Sequence, residues 1–536
     1  MDEARALWSM AWKVSLTTFC RIYLNTISTS FLGYLGSQEL AAGALAGIWM
    51  NAVQMLTFGF AISLCTLCGQ AYGARNYELV GIWLQIGVIS LVVLSIPVMI
   101  SFLYVDRILS FVTSDQEVLA LANVYARWSI PMVLPQALYS ALRQYFQAQE
   151  IVTPATIIGV LSVGVSFLAN AVLIYGVGPF AGLGFIGSPI ATCVASWFQP
   201  LALAGYACWY KGYHRKTWFG WNLRECLQWH RIRHFTTLAC AMTLYLGLDE
   251  WVYNAISSIA GVLGALSLAG NSVLLNLWGL VFGIYWGFGL PTQVRTANFL
   301  GANRPQHAKH TLRVGFVLGG LSSAASALAL LVLRHGIIQF FTPAPAVGAI
   351  IDAALPTFCV AVFLSGLHMM LAAVMEAMQL STMLVLITAL GSWGIMLPIS
   401  FVVGIKWGYG LDGLWLGSIC GEIVKFVLMA VVLARLDWQK VASQAVENSE
   451  SSSSEHQVLM DEVDVEMQMA AADCSTPTGI GGGLGSTWIS SVLTSPRAQH
   501  HVHEHHIDRN VGDVEHGRSL LTSTATNLRD YGTHRP

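Results

Sequence analysis

The chain has 536 residues, of which 55% are hydrophobic and 10% are charged, and its formal net charge is -2. A soluble domain carries about 25% charged residues, so most of this protein's surface faces something other than water. The charge balance gives no indication of nucleic-acid binding. The ten cysteines are scattered through apolar stretches, which is atypical of a disulfide framework or a metal site.

Long apolar runs recur along most of the chain. A bilayer core requires about 20 mostly apolar residues per helix. The runs are long and do not alternate with polar residues, so they predict helices rather than the short strands of a barrel. We therefore predict an all-α membrane protein of about twelve transmembrane helices, at residues 8–33, 42–70, 80–104, 118–141, 154–176, 184–210, 236–262, 267–294, 311–334, 350–373, 381–404 and 411–436.

Lysine and arginine are distributed unevenly between the two sides of these spans. Fifteen of them lie in the connectors on the N-terminal side, whereas the opposite connectors carry Arg107, Arg334 and Lys406. Because cytoplasmic loops are enriched in basic residues, this asymmetry predicts that both termini are cytoplasmic. The plasma membrane and a vacuole-like organelle membrane both fit.

Beyond the last span the composition becomes rich in serine, glycine and histidine. Such a segment cannot bury enough apolar area to offset its chain entropy. We predict that residues 441–536 form a disordered cytoplasmic tail. The histidine-rich stretch 499–506 could bind a transition metal loosely, but a solvated low-complexity tract is the favoured interpretation.

The chain contains an internal repeat. When it is shifted by 228–230 residues, Asn25 falls on Asn254 and Gly73-Ala74 falls on Gly301-Ala302, and two further regions match at nearly the same offset. This predicts two six-helix lobes, at 1–210 and 236–440, joined by a basic cytoplasmic connector at 211–235. Six spans are an even number, so the lobes are related by a pseudo-two-fold axis along the membrane normal. Transporters built this way bind their substrate between the lobes.

Several motifs identify a family that the chain resembles. The stretch Cys68-Gly-Gln-Ala-Tyr-Gly-Ala74, then Gln147-Ala-Gln149 with Pro154, then Arg295 with Leu300-Gly-Ala302 resemble elements of the multidrug and toxic compound extrusion (MATE) family, in the same order. The resemblance runs from about residue 7 to 437. It implies a two-lobed, twelve-helix antiporter that exports organic cations, amphipathic metabolites or xenobiotics in exchange for protons or sodium ions.

One charged element lies inside the seventh span. Ionisable side chains within a span cost several kcal/mol and mark functional sites. Asp249-Glu250-Trp251 resembles the Glu-Trp-Trp element of eukaryotic MATE members, which implies that Glu250 is the coupling carboxylate. The alternative is a structural carboxylate paired with a basic residue. Asp249 points about 100° away from Glu250 on a helix, toward the other side of the lobe, and its role is open.

Other polar residues in the spans have two interpretations each. Arg21 occupies the position of Glu250 in the repeat, so it could pair with Glu250 in one state, or instead snorkel to the interface. His368 could relay protons or form a helix–helix hydrogen bond. Glu422 and Lys425 are three residues apart on one helix face, and we expect them to neutralise each other.

The remaining candidates are aromatic or amide side chains near the charged element. Trp251, Tyr253, Trp278 and Tyr285 could bind flat cations through cation–π contacts, although interface or core packing is the more common role. Asn254 stands where family members often carry a second glutamate, and Asn25 is its repeat equivalent. The chain also departs from the family at Asn276, at Ser365 and over Met375-Glu-Ala-Met378, which weakens the expectation of a preference for permanent cations.

The sequence gives no sign of an enzyme. It lacks HExxH, GxSxG and P-loop motifs, so we expect no catalytic residues, no metal and no cofactor, with an ion gradient as the energy source. The expected partners are a small-molecule substrate and the lipid bilayer, and we expect a monomer. A flippase for a lipid-linked substrate and an organic-anion transporter of the same architecture are the alternatives. A flippase would require a basic cavity, yet few basic residues lie within the spans.

Overall fold

The computed structural model describes residues 2–111, 115–179, 181–342 and 344–449. Twelve long helices dominate this part of the chain, as predicted. They are α1 Asp2–Leu35, α2 Ser37–Gly73, α3 Tyr77–Leu103, α4 Gln116–Ala148, α5 Thr153–Tyr175, α6 187–210, α7 Trp229–Val262, α8 Ala265–Gly301, α9 Pro305–Val332, α10 Pro345–Ala377, α11 Ser381–Lys406 and α12 Gly410–Arg435.

Nine of these helices, among the described residues, are long and apolar enough to cross a membrane on those grounds alone. The other three are α1, α6 and α7. Charged residues, including Arg21 in α1 and Glu250 in α7, lower the hydropathy of two of them. The third, α6, changes from α-helical to π-helical geometry at Ala204.

Local chemistry explains where several helices begin. The Asn76 side chain accepts a hydrogen bond from the amide of Leu79 and caps α3, and Asp115 caps α4 in the same way. Proline near the first position begins α5, α9 and α10, where its missing N–H costs no hydrogen bond.

The duplication is visible in the backbone. Both α1 and α7 contain 34 residues, and both α2 and α8 contain 37. Four non-glycine residues in the described ranges have positive φ, and they form two pairs at the repeat offset: Arg75 (62°) with Asn303 (53°), and Glu150 (63°) with Gln379 (59°). Because such conformations are uncommon for non-glycine residues, their recurrence supports two copies of one six-helix fold.

The hydrophobic core shows how the two lobes meet. One cluster contains buried residues from both lobes, among them Met10, Leu67, Met242 and Met375. All of its members lie in the half of the bundle that carries Asp2 and the end of α12, which we call the terminal face. Toward the opposite face the cores are separate, one within α1–α6 and one within α7–α12. The lobes therefore join at the terminal face and part toward the other.

Close backbone packing joins the lobes at the terminal face. A Cβ atom on Gly73 would overlap the carbonyl of Asn298, and one on Gly301 would overlap the carbonyl of Gln70. These two contacts are repeat equivalents of each other. We call this pair of backbone contacts between the lobes the seal.

The prediction of a disordered tail at 441–536 is wrong for its first residues, 441–449. Residues 438–449 form a helix, and Trp438, Ala442 and Ala445 on it are buried. The Asn76 side chain donates a 2.8 Å hydrogen bond to the carbonyl of Ser449, which fixes the end of this helix to the N-terminal lobe. The histidine-rich stretch and the rest of the predicted tail lie outside the described residues.

Candidate binding cavity between the two lobes

A cavity that opens to solvent lies next to the seal, and the empty space in and around it, including the solvent at its mouth, is about 720 Å³. Met55 and Phe58 of α2 contribute to it from the N-terminal lobe. Its other walls come from α7, α8 and α10 of the C-terminal lobe. The cavity is thus placed between the lobes, as the repeat predicts, but most of its lining belongs to the second lobe.

Aromatic rings form much of the wall. Trp278 and Phe282 stack with ring centroids 5.0 Å apart, and Phe282 and Trp286 stack at 5.8 Å. Phe58 lies 5.7 Å from Trp286 across the lobe boundary. This continuous aromatic surface is suited to flat apolar groups and to cations.

Three carboxylates line the same cavity: Asp249 and Glu250 of α7, and Glu376 of α10. Among the described residues that line it, His368 is the only basic one. The cavity therefore carries excess negative charge next to aromatic rings, a combination that favours cationic ligands.

A buried charge network connects this cavity to α12. Lys425 Nζ lies 2.8 Å from Asp249 Oδ1 and 2.8 Å from Glu422 Oε1. On the other side of Glu422, its Oε2 lies 2.5 Å from His368 Nδ1. The Tyr253 hydroxyl donates to Glu422 Oε1 at 3.3 Å.

The network explains how charged groups are accommodated inside a span. Lys425 and Glu422 are fully buried, and burying an unpaired charge costs several kcal/mol. Lys425 instead lies between the carboxylates of Asp249 and Glu422, and the contacts of the network tie α7, α10 and α12 together. The predicted neutralisation of Glu422 by Lys425 is confirmed, and Asp249 and His368 extend it to the cavity wall.

Glu250 and Asp249 take different directions from neighbouring positions. Glu250 lines the cavity, is solvent-exposed and makes no ion pair within 4.0 Å to any other described residue. Asp249 turns into its own lobe toward Lys425, as the angular offset predicts, yet it also borders the cavity. Its position between the network and the cavity could not be predicted from the offset alone.

Arg21 lies on α1 of the N-terminal lobe, next to the cavity residue Phe58, and is not itself among the lining residues. Its guanidinium is 5.6 Å from the centre of the Phe58 ring. It is close enough to Glu250 for their charges to interact, but the two do not form an ion pair. Facing positions for this pair are what the repeat predicts. Asn25 and Asn254 lie farther along the same two helices, on solvent-exposed surface toward the face opposite the terminal face. We call that opposite face, where the two lobes part, the open face.

The aromatic candidates divide into two groups. Tyr253 and Trp278 border the cavity and pack on each other with centroids 5.4 Å apart. Trp251 is 43% exposed and is not among the lining residues, and Tyr285 is buried in the core of the C-terminal lobe. Core or surface packing, the more common role, thus accounts for these last two.

Sequence reasoning missed Glu376 as a cavity residue. It lies in the last turn of α10, where the chain departs from the family pattern, and that position suggested a loop boundary. The available signal was charge: a glutamate at the end of an apolar run with no basic neighbour in the sequence.

Comparison with known proteins agrees with this architecture. The MatE family model matches residues 14–172 and matches again at 244–402, once in each lobe. The chain belongs to the MATE family. Multidrug and toxin extrusion protein 1 of Oryctolagus cuniculus is 30% identical over 446 residues, covering 83% of this chain and 77% of the relative. Protein DETOXIFICATION 37 of Arabidopsis thaliana is 27% identical over 458 residues, covering 83% and 88%.

Solved structures of MATE transporters share the fold. The eukaryotic MATE transporter AtDTX14 superposes with a TM-score of 0.77 at 24% identity, covering 84% of this chain and 99% of that chain. A mutant of the Vibrio cholerae MATE transporter VcmN gives a TM-score of 0.72 at 18% identity, covering 82% and 98%. This MATE protein is therefore an integral, multi-pass membrane transporter with the twelve-helix fold.

Proposed function

We propose that this MATE protein is a secondary antiporter that exports organic cations in exchange for protons. The observation that carries the proposal is the cavity itself, where Glu250 and Glu376 make no ion pair with any other described residue and lie beside stacked aromatic rings. A cation with an apolar body would bind a carboxylate through its charge and the aromatic rings through its apolar part. The described lining residues include no lysine or arginine, which argues against a lipid-linked substrate with a phosphate group.

In the proposed mechanism, Glu250 binds either a proton or the cation. Glu250 borders the aromatic wall of the cavity and is accessible from it, so one positive charge on its carboxylate, a proton or a cation, is favoured over none and over two. Arrival of an organic cation would release the proton, and a proton arriving from the other side would release the cation. Such competition for one site makes the binding of one ion depend on the release of the other.

The electrostatic attraction between Arg21 and Glu250 would depend on the charge of Glu250. In this conformation the two charges interact without an ion pair. If the lobes close at the open face, α1 and α7 approach, and a deprotonated Glu250 would then attract Arg21. A bound proton or cation would weaken that attraction, which links the occupancy of the site to the equilibrium between states.

The direction of transport follows from the orientation of the chain. The asymmetry of lysine and arginine supports a cytoplasmic location for the terminal face, and the conformation described above would then be outward-open. The same asymmetry is compatible with export across the plasma membrane or into a vacuole-like organelle.

Uptake into proteoliposomes tests the function. Purified protein is reconstituted, a pH gradient or a sodium gradient is imposed, and the flux of radiolabelled tetraethylammonium is measured. We expect uptake driven by the proton gradient, abolished by Glu250→Gln and retained by Glu39→Gln, which alters a carboxylate at the start of α2 away from the cavity. Flux that is indifferent to both gradients would overturn the antiporter, and wild-type flux in Glu250→Gln would remove the role of Glu250.

A further inference from the structure

Glu376 lies at the inner end of the cavity, against the seal. Its backbone carbonyl accepts a 3.2 Å hydrogen bond from the Thr66 hydroxyl, and the next carbonyl, of Ala377, accepts a 2.8 Å bond from the Gln70 amide. Both donors belong to α2 of the other lobe. The backbone at Glu376 is therefore part of the contact between lobes, while its side chain borders the cavity.

The Glu376 carboxylate lacks a partner in the described part of the protein. The residue is only 4% exposed, yet its carboxylate makes no described hydrogen bond, and no described lysine, arginine or histidine nitrogen lies within 4.0 Å. The titratable groups near it are Tyr245 of α7 and Cys65 of α2, and neither is a cation. A buried carboxylate is either paired or protonated, so this one, which has no partner among the described residues, can exchange a proton for a cationic group of a ligand.

Glu250 and Glu376 lie at different depths. On α7, Tyr245 beside Glu376 precedes Glu250 by five residues, which corresponds to about 7.5 Å along the helix axis. On α10, Glu376 follows His368 by eight residues, or about 12 Å. His368 lies near the level of the Asp249–Lys425 contact, so the two free carboxylates are separated by roughly 8–12 Å in depth.

The wall between these two levels is apolar and aromatic. Phe282, Trp286 and Leu290 succeed one another along α8 and all border the cavity. A ligand that spanned the two carboxylates would place its central part against these side chains. The cavity thus presents an anionic group at each end of an apolar stretch.

From this arrangement we propose that the cavity recognises dicationic amphipathic amines, with Glu376 binding the inner ammonium group and Glu250 the outer one. The assignment of the outer site rests on the proposed function, whereas the inner site rests on the position of Glu376 alone. A ligand with one charge would occupy the outer site and leave Glu376 unpaired. The proposal therefore predicts selectivity by the distance between two charges.

A series of alkane-α,ω-bis(trimethylammonium) ions tests the distance. Binding to detergent-solubilised protein is measured by displacement of radiolabelled tetraethylammonium for chains of 3 to about 12 methylenes. For the wild type we expect an affinity maximum at intermediate length, where the charges are separated by roughly the depth derived above. An affinity that is independent of length, or that rises steadily with apolar size, would overturn the proposal.

Substitution of Glu376 tests the residue. In Glu376→Gln we expect the ratio of dication to monocation affinity to fall on the order of ten- to a hundred-fold, because one charge-assisted contact is lost. The length maximum should disappear as well. Glu376→Asp keeps the charge on a shorter side chain and should retain the preference for dications, with the maximum moved to longer chains. An unchanged ratio in Glu376→Gln would show that Glu376 does not bind the ligand.

These readouts separate the two proposals. The binding assay requires no gradient, so length-dependent binding without proton-driven flux would retain the Glu376 site and reject the antiporter. Proton-driven flux of tetraethylammonium without length dependence would do the reverse. Glu39→Gln serves as the control in both assays. If Glu376→Gln does not yield a monodisperse protein, Glu376→Asp alone decides the matter through the shift in preferred length.

Discussion

An ion cluster on the terminal face allows a direct test of what keeps the two lobes together there. Arg295 of α8 binds Glu3 of α1 through two contacts of 2.7 Å, and it binds Glu150, after α4, at 2.9 Å. The Thr311 hydroxyl of α9 donates a further 2.8 Å bond to Glu3. Glu3 and Glu150 belong to the first lobe, and Arg295 and Thr311 to the second. We call Glu3, Glu150 and Arg295 the latch.

We predict that Glu3→Gln shifts the protein toward the conformation that is open at the terminal face. Glu3 and Arg295 side chains are 12% and 15% exposed, so solvent screens their bidentate pair only in part. Hydrogen bonds to charged groups contribute about 1.5–3 kcal/mol, and the residual exposure reduces this to about 1–2 kcal/mol. The closed-to-open ratio should therefore fall by a factor of roughly 5 to 30.

The two ion pairs of the latch, Arg295 with Glu3 and Arg295 with Glu150, should differ in strength. Glu150 is 37% exposed, so its ion pair is screened more strongly and contributes about 0.5 kcal/mol. Glu150→Gln should then change the ratio only about two- to threefold. Asp2→Asn, which removes an exposed carboxylate one residue from Glu3, should have no effect.

The latch should also be insensitive to pH over the physiological range. Burial alone would raise the pKa of Glu3, but hydrogen bonds from Arg295 and Thr311 and the charge of Arg295 outweigh it and hold the pKa below its ordinary value of 4.5. A carboxylate with a lowered folded-state pKa contributes its stabilisation above the ordinary value and loses it as the pH falls through the lowered one. The latch should thus remain intact at pH 6–8.

Distances between spin labels measure the shift. Tyr34→Cys and Val262→Cys are repeat-equivalent positions at the ends of α1 and α7, and the native side chains are 84% and 75% exposed. Labels there should be far apart when the open face is open and should approach when the terminal face opens. Exposed Cys240 and the tail residue Cys474 are replaced to prevent background labelling. Identical distance distributions in Glu3→Gln and Asp2→Asn would refute the latch.

Two further predictions follow from the packing and the charge network. Lys425→Met removes the cation beside Asp249 and leaves the fully buried Glu422 with His368 as its remaining ion-pair partner among the described residues, so we expect destabilisation of about 3–5 kcal/mol, seen as a lower melting temperature in detergent. The exposed Lys406→Met is the control, and equal melting of the two variants would contradict the network. Gly73→Ala and Gly301→Ala should each weaken the seal by about 1–3 kcal/mol and increase the population open at the terminal face in the spin-label assay. Gly279→Ala, where an added Cβ meets nothing within 4 Å, should leave the population unchanged, and a matching shift there would argue against the seal.

Most of the architecture could be predicted from the sequence because it follows from hydropathy and repetition. Twelve apolar runs predict the twelve helices. The nearly constant offset of 228–230 residues between matching positions, such as Asn25 and Asn254, predicts the two lobes. The position of Glu250 in the cavity also follows, since its repeat equivalent, Arg21, is brought to the facing lobe. These predictions depend only on periodicity and symmetry, which a single sequence contains.

The charge network could not be predicted because it depends on contacts between distant helices. Sequence spacing links Glu422 to Lys425, but nothing local links Lys425 to Asp249, which is 176 residues away. The helix at 438–449 is a different case. Its buried residues Trp438, Ala442, Ala445 and Ser449 follow helical spacing, a signal that the polar composition of the downstream tail concealed.

The central claim is that a single carboxylate, Glu250, exchanges a proton for an organic cation. The most direct test is proton release on binding, measured with a pH indicator in weakly buffered detergent solution as tetraethylammonium is added. We expect release of about one proton per cation bound by the wild type at a pH where Glu250 is protonated, and none in Glu250→Gln. Cation binding without proton release, or equal release in the variant, would contradict it.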